Sequence, residues 1–137
     1  MADPAVASKR FRTHNVDASV NYFKFAVGAA GAVGTLSQGN GAAVTSVTKV
    51  PATTGRYTVQ LALPYPSALI DVKVGLAVVA VTSLLQRAAY KAGSYSATAG
   101  RFELGTSAPT DATRATKQIA ADPVSGSDIM VQYAFLD

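Results

Sequence analysis

Residues 56–63, RYTVQLAL, decide the fold of this chain, because apolar and polar residues alternate along them. The larger apolar side chains all fall on one face of an extended strand, namely Tyr57, Val59, Leu61 and Leu63. Alternation with a period of two buries one face of a strand and leaves the other face in water. It is typical of an antiparallel sheet that covers a core with one face.

Two other segments show the same alternation. One is the C-terminal stretch 128–137, and the other is 69–81, whose second half becomes apolar on both faces. We therefore expect an all-β chain folded as an antiparallel β-sandwich or jelly roll. Its predicted core contains Tyr57, Val59, Leu61, Ile70, Val72, Val74, Ile129, Val131, Tyr133 and Phe135.

Composition indicates a single domain whose surface is partly covered by other proteins. A chain of 137 residues is long enough to bury a hydrophobic core without the help of disulfides or metal ions. It has no cysteine, which excludes disulfides and thiolate metal sites. Charged residues make up 15% of the chain, against about 25% in typical domains. A surface with so few charges favours coverage by further copies or by a partner.

The N-terminal part differs from the remainder of the chain. Residues 1–19 contain a proline and a basic cluster but no sustained period, so we expect an extended arm that gains its order from a partner. Residues 20–137 form the predicted sandwich domain. Within it, the glycine-rich stretch 28–42 is expected to be a long surface loop.

The other predicted elements are short. Thr82–Ala89 fits either a helical turn or a strand. Residues 106–126 are rich in Thr, Ala, Asp, Ser and Pro and predict a long loop, with a possible helical turn at 115–120. The remaining predicted elements are strands at 20–27 and 44–50, a turn at 51–55, and a hairpin of 91–97 with 101–105 that points Phe102 and Leu104 inward.

Residues that would carry catalysis or hold a metal are scarce. His14 is the only histidine, and it lies in the polar arm. The eight acidic residues are scattered and show no spacing typical of a calcium site or of a glycosidase pair. We therefore expect a non-enzymatic protein without a catalytic site, a metal or a cofactor.

The basic cluster of the arm is the candidate docking element. Lys9, Arg10 and Arg12 surround Phe11, so the cluster combines charge with an apolar side chain. Such a cluster could bind nucleic acid by gripping phosphate and stacking on a base. We favour an acidic protein surface, because the other basic residues are spread singly along the strands.

The doubly apolar end of segment 69–81 is the candidate subunit interface, with Leu76, Val78, Val79 and Val81 as its residues. We expect self-association through a dry contact there, with a homotrimer as the assembly. The longest apolar stretch, 74–81, is far shorter than the roughly 20 residues of a membrane helix. A soluble protein without membrane contact is therefore expected.

Two stretches of the chain resemble a known family. Residues 44–76 contain the thread TGRYTVQL after a glycine-rich loop, and residues 120–137, AADPVSGSDIMVQYAFLD, close the chain with a DP loop and a final strand. Both are similar to small virion proteins of tailed bacteriophages that act as head decoration, or cement, proteins. The similarity covers residues 20–137, and the basic arm is longer than in that family.

The resemblance implies a function for the chain. It implies a β-sandwich, often trimeric, that binds the major capsid protein on the outer surface of a phage head and stabilises the shell. An alternative is a tail or fibre module that binds a host carbohydrate or receptor through the glycine-rich loop and Tyr65, Tyr90 and Tyr95, because loop tyrosines stack on sugars.

Overall fold

The computed structural model describes the backbone of residues 9–13, 16–38, 43–79, 86–111 and 114–136, and the side chains of 19–38, 43–79, 86–109 and 118–136. This part of the chain forms strands and one 3-10 helix, Ala29–Gly31. The strands are β1 Lys9–Thr13, β2 Val16–Val27, β3 Val33–Gln38, β4 Val44–Lys49, β5 Arg56–Leu61, β6 Ala68–Ala77, β7 Arg87–Tyr90, β8 Arg101–Asp111, β9 Arg114–Ala120 and β10 Asp128–Leu136.

These strands form two antiparallel sheets that pack as a β-sandwich, so the predicted fold class is confirmed. In the first, sheet A, the order is β1-β2-β10-β6. Strand β3 also pairs with β2, and it continues the line of β1 along the same edge. In the second, sheet B, the order is β4-β5-β8-β7, and β9 pairs with the far half of β8.

The core lies between the two sheets. Phe25 of sheet A contacts Tyr57 of sheet B with ring centroids 5.4 Å apart, and Tyr133 contacts Phe102 at 5.9 Å. Burying each such ring or aliphatic side chain contributes roughly 1.5–3 kcal/mol. The buried apolar residues are Phe23, Phe25, Val27, Val44, Val47, Tyr57, Val59, Leu61, Phe102, Leu104, Ile129, Val131 and Tyr133.

The predicted core is confirmed at nine of its ten positions, since Val72, Val74 and Phe135 are half-buried and pack against the buried cluster. Ile70 is the exception, with 54% of its surface exposed. Strand β6 pairs Leu69 with Phe135 and Asp71 with Ala134, so Ile70 is an extra residue in a bulge. A bulge reverses the alternation on one side of it. Leu63, after the end of β5, is also exposed.

The expected loop at 28–42 is wrong where the structure describes it. A 3-10 turn at residues 29–31 leads into β3, which pairs with β2. Val33 and Leu36 both pack against the core although they are three residues apart. A register shift between Phe25 and Val27 makes this spacing possible, and such spacing does not look like a strand in the sequence. Residues 39–42 lie outside the described residues.

The expected loop at 106–126 is also largely wrong. Strand β8 continues to Asp111, and β9 occupies 114–120, which includes the helical-turn alternative at 115–120. The register shifts next to Pro109, which has no amide hydrogen to donate to a neighbouring strand. Over residues 106–120, neither strand of this hairpin shows an alternation of large apolar residues, so the sequence pattern did not indicate it.

The segment 86–105 pairs differently from the prediction. The described end of the ambiguous segment 82–89 is strand, because β7 covers Arg87–Tyr90 and pairs with β8. Residues 91–100 are turns with one isolated bridge between Ser96 and Arg101. The inward positions of Phe102 and Leu104 are confirmed.

The described part of the predicted arm is strand. Strand β1 pairs with β2, and β2 begins at Val16, four residues earlier than expected. Residues 16–19 therefore belong to sheet A, and β1 forms part of its edge. Residues 1–8 lie outside the described part of the chain.

Candidate functional site

The outer face of sheet A is the candidate functional site. Strand β10 lies between β2 and β6, and directly paired residues of neighbouring strands share a face. Near the middle of the sheet, the outward positions form two rows of three residues: Lys24, Met130 and Gly75, then Tyr22, Gln132 and Lys73. We call these six residues the sheet A groove.

Together with Ser37 and Gln38 of β3, the groove residues line a broad concavity of about 730 Å³. Gly75 leaves the first row without a side chain at its end. A Cβ atom added there would meet only the Met130 Cε atom, at 3.5 Å. Met130 is 44% exposed and Tyr22 is 58% exposed, so the floor offers apolar surface to a partner. Exposed apolar area within a concavity is typical of a binding surface.

The charges of the groove are open to a partner. Lys24 and Lys73 are both exposed, and within the described residues neither side chain makes an ion pair or a hydrogen bond. Asp128 lies one row before Lys24, and Asp71 lies one row after Lys73. Two adjacent basic rows are thus bracketed by two acidic positions.

Two basic side chains of sheet B form ion pairs with Glu103 of the same sheet. Glu103 accepts hydrogen bonds from Arg56 Nη2 at 2.9 Å and from Lys91 Nζ at 3.0 Å. The hydrogen bond from Lys91, with the Arg56 guanidinium, lowers the pKa of the Glu103 carboxyl. Arg56 and Lys91 are therefore partly neutralised, whereas Arg87 and Arg101 of the same sheet are exposed and have no ion pair within the described residues.

The predicted docking cluster lies at the edge of sheet A. The backbone of β1 pairs Lys9 with Val20, Arg10 with Ser19, Phe11 with Ala18 and Arg12 with Asp17. The side chains of these four β1 residues are outside the described part. Because β1 and the groove share strand β2, the two candidate elements belong to one sheet.

The residues of the predicted subunit interface lie in different environments. Leu76 pairs with Ile129 and packs against the chain's own core. Val78 is half-buried, whereas Val79 is 67% exposed. Val81 lies outside the described residues. The exposed apolar surface of this segment is therefore centred on Val79.

The tyrosines of the carbohydrate alternative are packed within the domain. Tyr90 contacts Phe102 with ring centroids 5.8 Å apart, and Tyr95 donates a hydrogen bond to the Pro66 carbonyl. Tyr65 also packs against the core. A sugar needs an open ring face, and the more exposed tyrosine is Tyr22 in the sheet A groove.

Asp122 is a structural residue that the sequence pattern did not reveal. Its carboxylate accepts hydrogen bonds from the Gly55 amide at 2.8 Å and from Lys49 Nζ at 3.1 Å. Lys49 also donates to the Ala30 carbonyl. Through Lys49, the carboxylate thus joins a turn of sheet B to the 3-10 helix after β2. We assign it a role in stability, since each of its contacts lies within the domain.

Within the described residues, no group of three His, Cys, Asp or Glu side chains could hold a metal ion. His14 lies outside them. In the same part of the chain, no helix is long and apolar enough to span a membrane. Comparison of this chain with protein-family models, curated proteins and solved structures found no match.

The groove residues were individually visible in the sequence as the polar sides of three strands. Their assembly was not, because β2, β6 and β10 are distant in the chain. A sequence shows which side of a strand faces out, but not which strands are neighbours.

Proposed function

We propose that this protein is a non-enzymatic structural protein of a phage particle, which decorates the capsid and docks through sheet A. The observation that carries the proposal is the uncovered outer face of sheet A, with a concavity and two basic side chains that no described residue neutralises. The resemblance of residues 20–137 to head decoration proteins agrees with it.

The basic cluster of β1 is proposed to strengthen the docking. Lys9, Arg10 and Arg12 lie on an edge of the same sheet. Lys9 pairs with Val20, which shares the face of the groove, whereas Arg10 pairs with the buried Ser19 of the opposite face. A partner that covers the groove and wraps around this edge would meet the whole cluster. Contacts spread over many copies on a shell add up, which allows each single contact to be weak. The major capsid protein is the proposed partner, and a homotrimer is the proposed assembly.

Particle composition tests the proposal. Purified particles of the phage that encodes the chain should contain it at a constant copy number per capsid, measured by quantitative mass spectrometry. Added protein should bind saturably to heads that lack it, measured by co-sedimentation. Absence from the particles, or binding to host polysaccharide instead of heads, would contradict the proposal.

A charge-reversal pair tests the basic cluster. We expect Arg10→Glu/Arg12→Glu to weaken binding to heads, with a larger effect at low salt because screening is weaker there. The matched control is Arg87→Glu/Arg101→Glu, which changes two exposed arginines of sheet B by the same charge. Equal effects of the two pairs would show that only net charge matters.

A further inference from the structure

We propose that the sheet A groove binds an extended acidic segment of another protein, with two carboxylates four residues apart and an apolar side chain midway between them. This inference rests on the proposed function, because it names the chemistry by which the docking partner is recognised. Charge, spacing and the shape of the groove each support it.

The spacing follows from the sheet geometry. Lys24 and Lys73 lie two strands apart and one outward row apart. Neighbouring strands are about 4.8 Å apart and two residues of a strand span about 6.8 Å, so the two Cα atoms are separated by about 12 Å. In an extended segment, residues four apart lie on the same face and span about 13 Å. Two such carboxylates therefore match the two lysines.

The apolar position follows from what lies between the lysines. Met130 and Gln132 occupy the middle strand, and Tyr22 and the open space at Gly75 lie on the opposite diagonal. The residue midway between the two carboxylates faces the same side of the segment. Its side chain would lie against Met130 and extend toward Gly75, where the terminal methyl of Met130 is the one described neighbour within 4 Å of an added Cβ atom.

A continuous polyanion fits this face less well. Asp128 and Asp71 bracket the two basic rows, so a nucleic acid or a sulfated polysaccharide that runs along the strands would meet negative charge at both ends. Discrete carboxylates on a short segment avoid this repulsion. The charge pattern therefore favours a protein segment.

A second copy of this chain does not supply such a segment. Its acidic residues are Asp3, Asp17, Asp71, Glu103, Asp111, Asp122, Asp128 and Asp137. None of these is four residues from another, so the chain lacks the required spacing. The occupant is accordingly a different protein.

A synthetic peptide with the sequence Gly-Thr-Asp-Thr-Leu-Thr-Asp-Thr-Gly is the probe. The chain has two methionines, Met1 and Met130, so the Met130 methyl resonance is a clean reporter in a titration of the full chain by NMR. We expect saturable shifts of the Met130 methyl group. A lysine-for-aspartate peptide and a peptide with adjacent aspartates should shift it much less.

Two variant pairs test the lysines. We expect Lys24→Glu/Lys73→Glu to weaken peptide binding about tenfold or more, and Arg87→Glu/Arg101→Glu to change it by less than about twofold. If the first pair does not fold, as judged by its amide spectrum, Lys24→Gln/Lys73→Gln gives the same comparison. Equal effects of the groove and control pairs would overturn the proposal.

A variant that fills the space at Gly75 tests the proposed site for the apolar side chain of the segment. Gly75→Val fills this space, and the added Cβ atom meets only the flexible Met130 side chain, so we expect an unchanged thermal midpoint and weaker peptide binding. Unchanged peptide binding by this variant would overturn the proposed site for the apolar side chain. Binding of heparin or oligo-dT at the groove, at least as tight as the peptide, would overturn the choice of a protein segment.

The two proposals fail separately. If the chain is absent from phage particles but the spaced peptide binds the groove, the proposed function fails and the groove chemistry stands. If heads bind the parent and Lys24→Glu/Lys73→Glu equally well, the capsid function stands and the groove proposal is overturned.

Discussion

Gly100 lies beneath the ring of Tyr65 with a φ angle of 68°, and a Cβ atom there would overlap that ring. Gly93 has a φ angle of 75° and no neighbouring atom within 4 Å of such a Cβ. We expect Gly93→Ala to lower the free energy of unfolding by about 1–2 kcal/mol, the cost of left-handed backbone. Gly100→Ala should cost about 3 kcal/mol or more, because the ring must also move. Urea denaturation measures both, and equal losses would show that Tyr65 yields freely.

Tyr57 makes the domain sensitive to alkali. Its hydroxyl donates to the Gly31 carbonyl at 2.7 Å, and burial, followed by the Asp122 charge, raises the pKa of Tyr57 to about 12. The pKa of Tyr57 is higher in the folded protein than in the unfolded chain, where it is about 10. The neutral Tyr57 therefore contributes its full stabilisation of the fold below pH 10, and this contribution is lost as the pH rises toward 12. Burial also raises the pKa of Tyr95 and Tyr133, with the same sign.

We therefore expect cooperative unfolding between about pH 10 and 12, followed by circular dichroism. Tyr57→Phe should move its onset to higher pH. At pH 7 the same variant should lose about 1 kcal/mol, because the Gly31 carbonyl loses its hydrogen bond. A parent protein that stays folded and unchanged beyond pH 12 would contradict this account.

Buried and exposed residues alternate along strand β10, and two substitutions in this strand test that assignment. Val131 is 1% exposed, whereas its neighbour Gln132 faces outward. We expect Val131→Asp to destabilise by about 3–5 kcal/mol, because its carboxylate would be buried without a partner. Gln132→Asp should change stability by no more than about 0.5 kcal/mol. Thermal denaturation compares the two, and similar midpoints would mean that the buried face is wrongly assigned.

Strands β3 and β4 belong to different sheets, and Gln38 connects them. Its Nε2 donates to the Val44 carbonyl at 2.8 Å, and its Oε1 accepts from the Val44 amide at 2.9 Å. One side-chain amide thus replaces a backbone pair where the sheets meet. We expect Gln38→Met to cost about 1–2 kcal/mol and to speed exchange of the Val44 amide hydrogen. Unchanged exchange by NMR would show that water replaces these bonds.

At the scale of the whole molecule, the proposed trimer depends on the exposed part of segment 76–81. Leu76 packs inward, so Val79 is the described residue best placed for a dry contact. We expect a trimeric mass by sedimentation and a shift toward monomer in Val79→Asp. Leu63→Asp is the control, because Leu63 is exposed but lies outside this segment. A monomeric parent at high micromolar concentration would contradict the trimer.

Much of the sandwich could be predicted from the amino-acid order alone. Strands β5 and β10 and the second half of β2 alternate without interruption, and their inward residues are those expected. Alternation is a local property, because it depends only on the geometry of an extended backbone. It therefore indicates the fold class and most of the core before any strand partner is known.

Bulges and strand order depend instead on contacts between distant segments. Val33 with Leu36, Val44 with Val47, and Leu69 with Val72 are inward pairs three residues apart, each beside a register shift. Such a shift exists only relative to a partner strand, so a local pattern cannot show it. For the same reason, the groove of Lys24, Lys73 and Met130 arises only when the last strand of the chain inserts between β2 and β6.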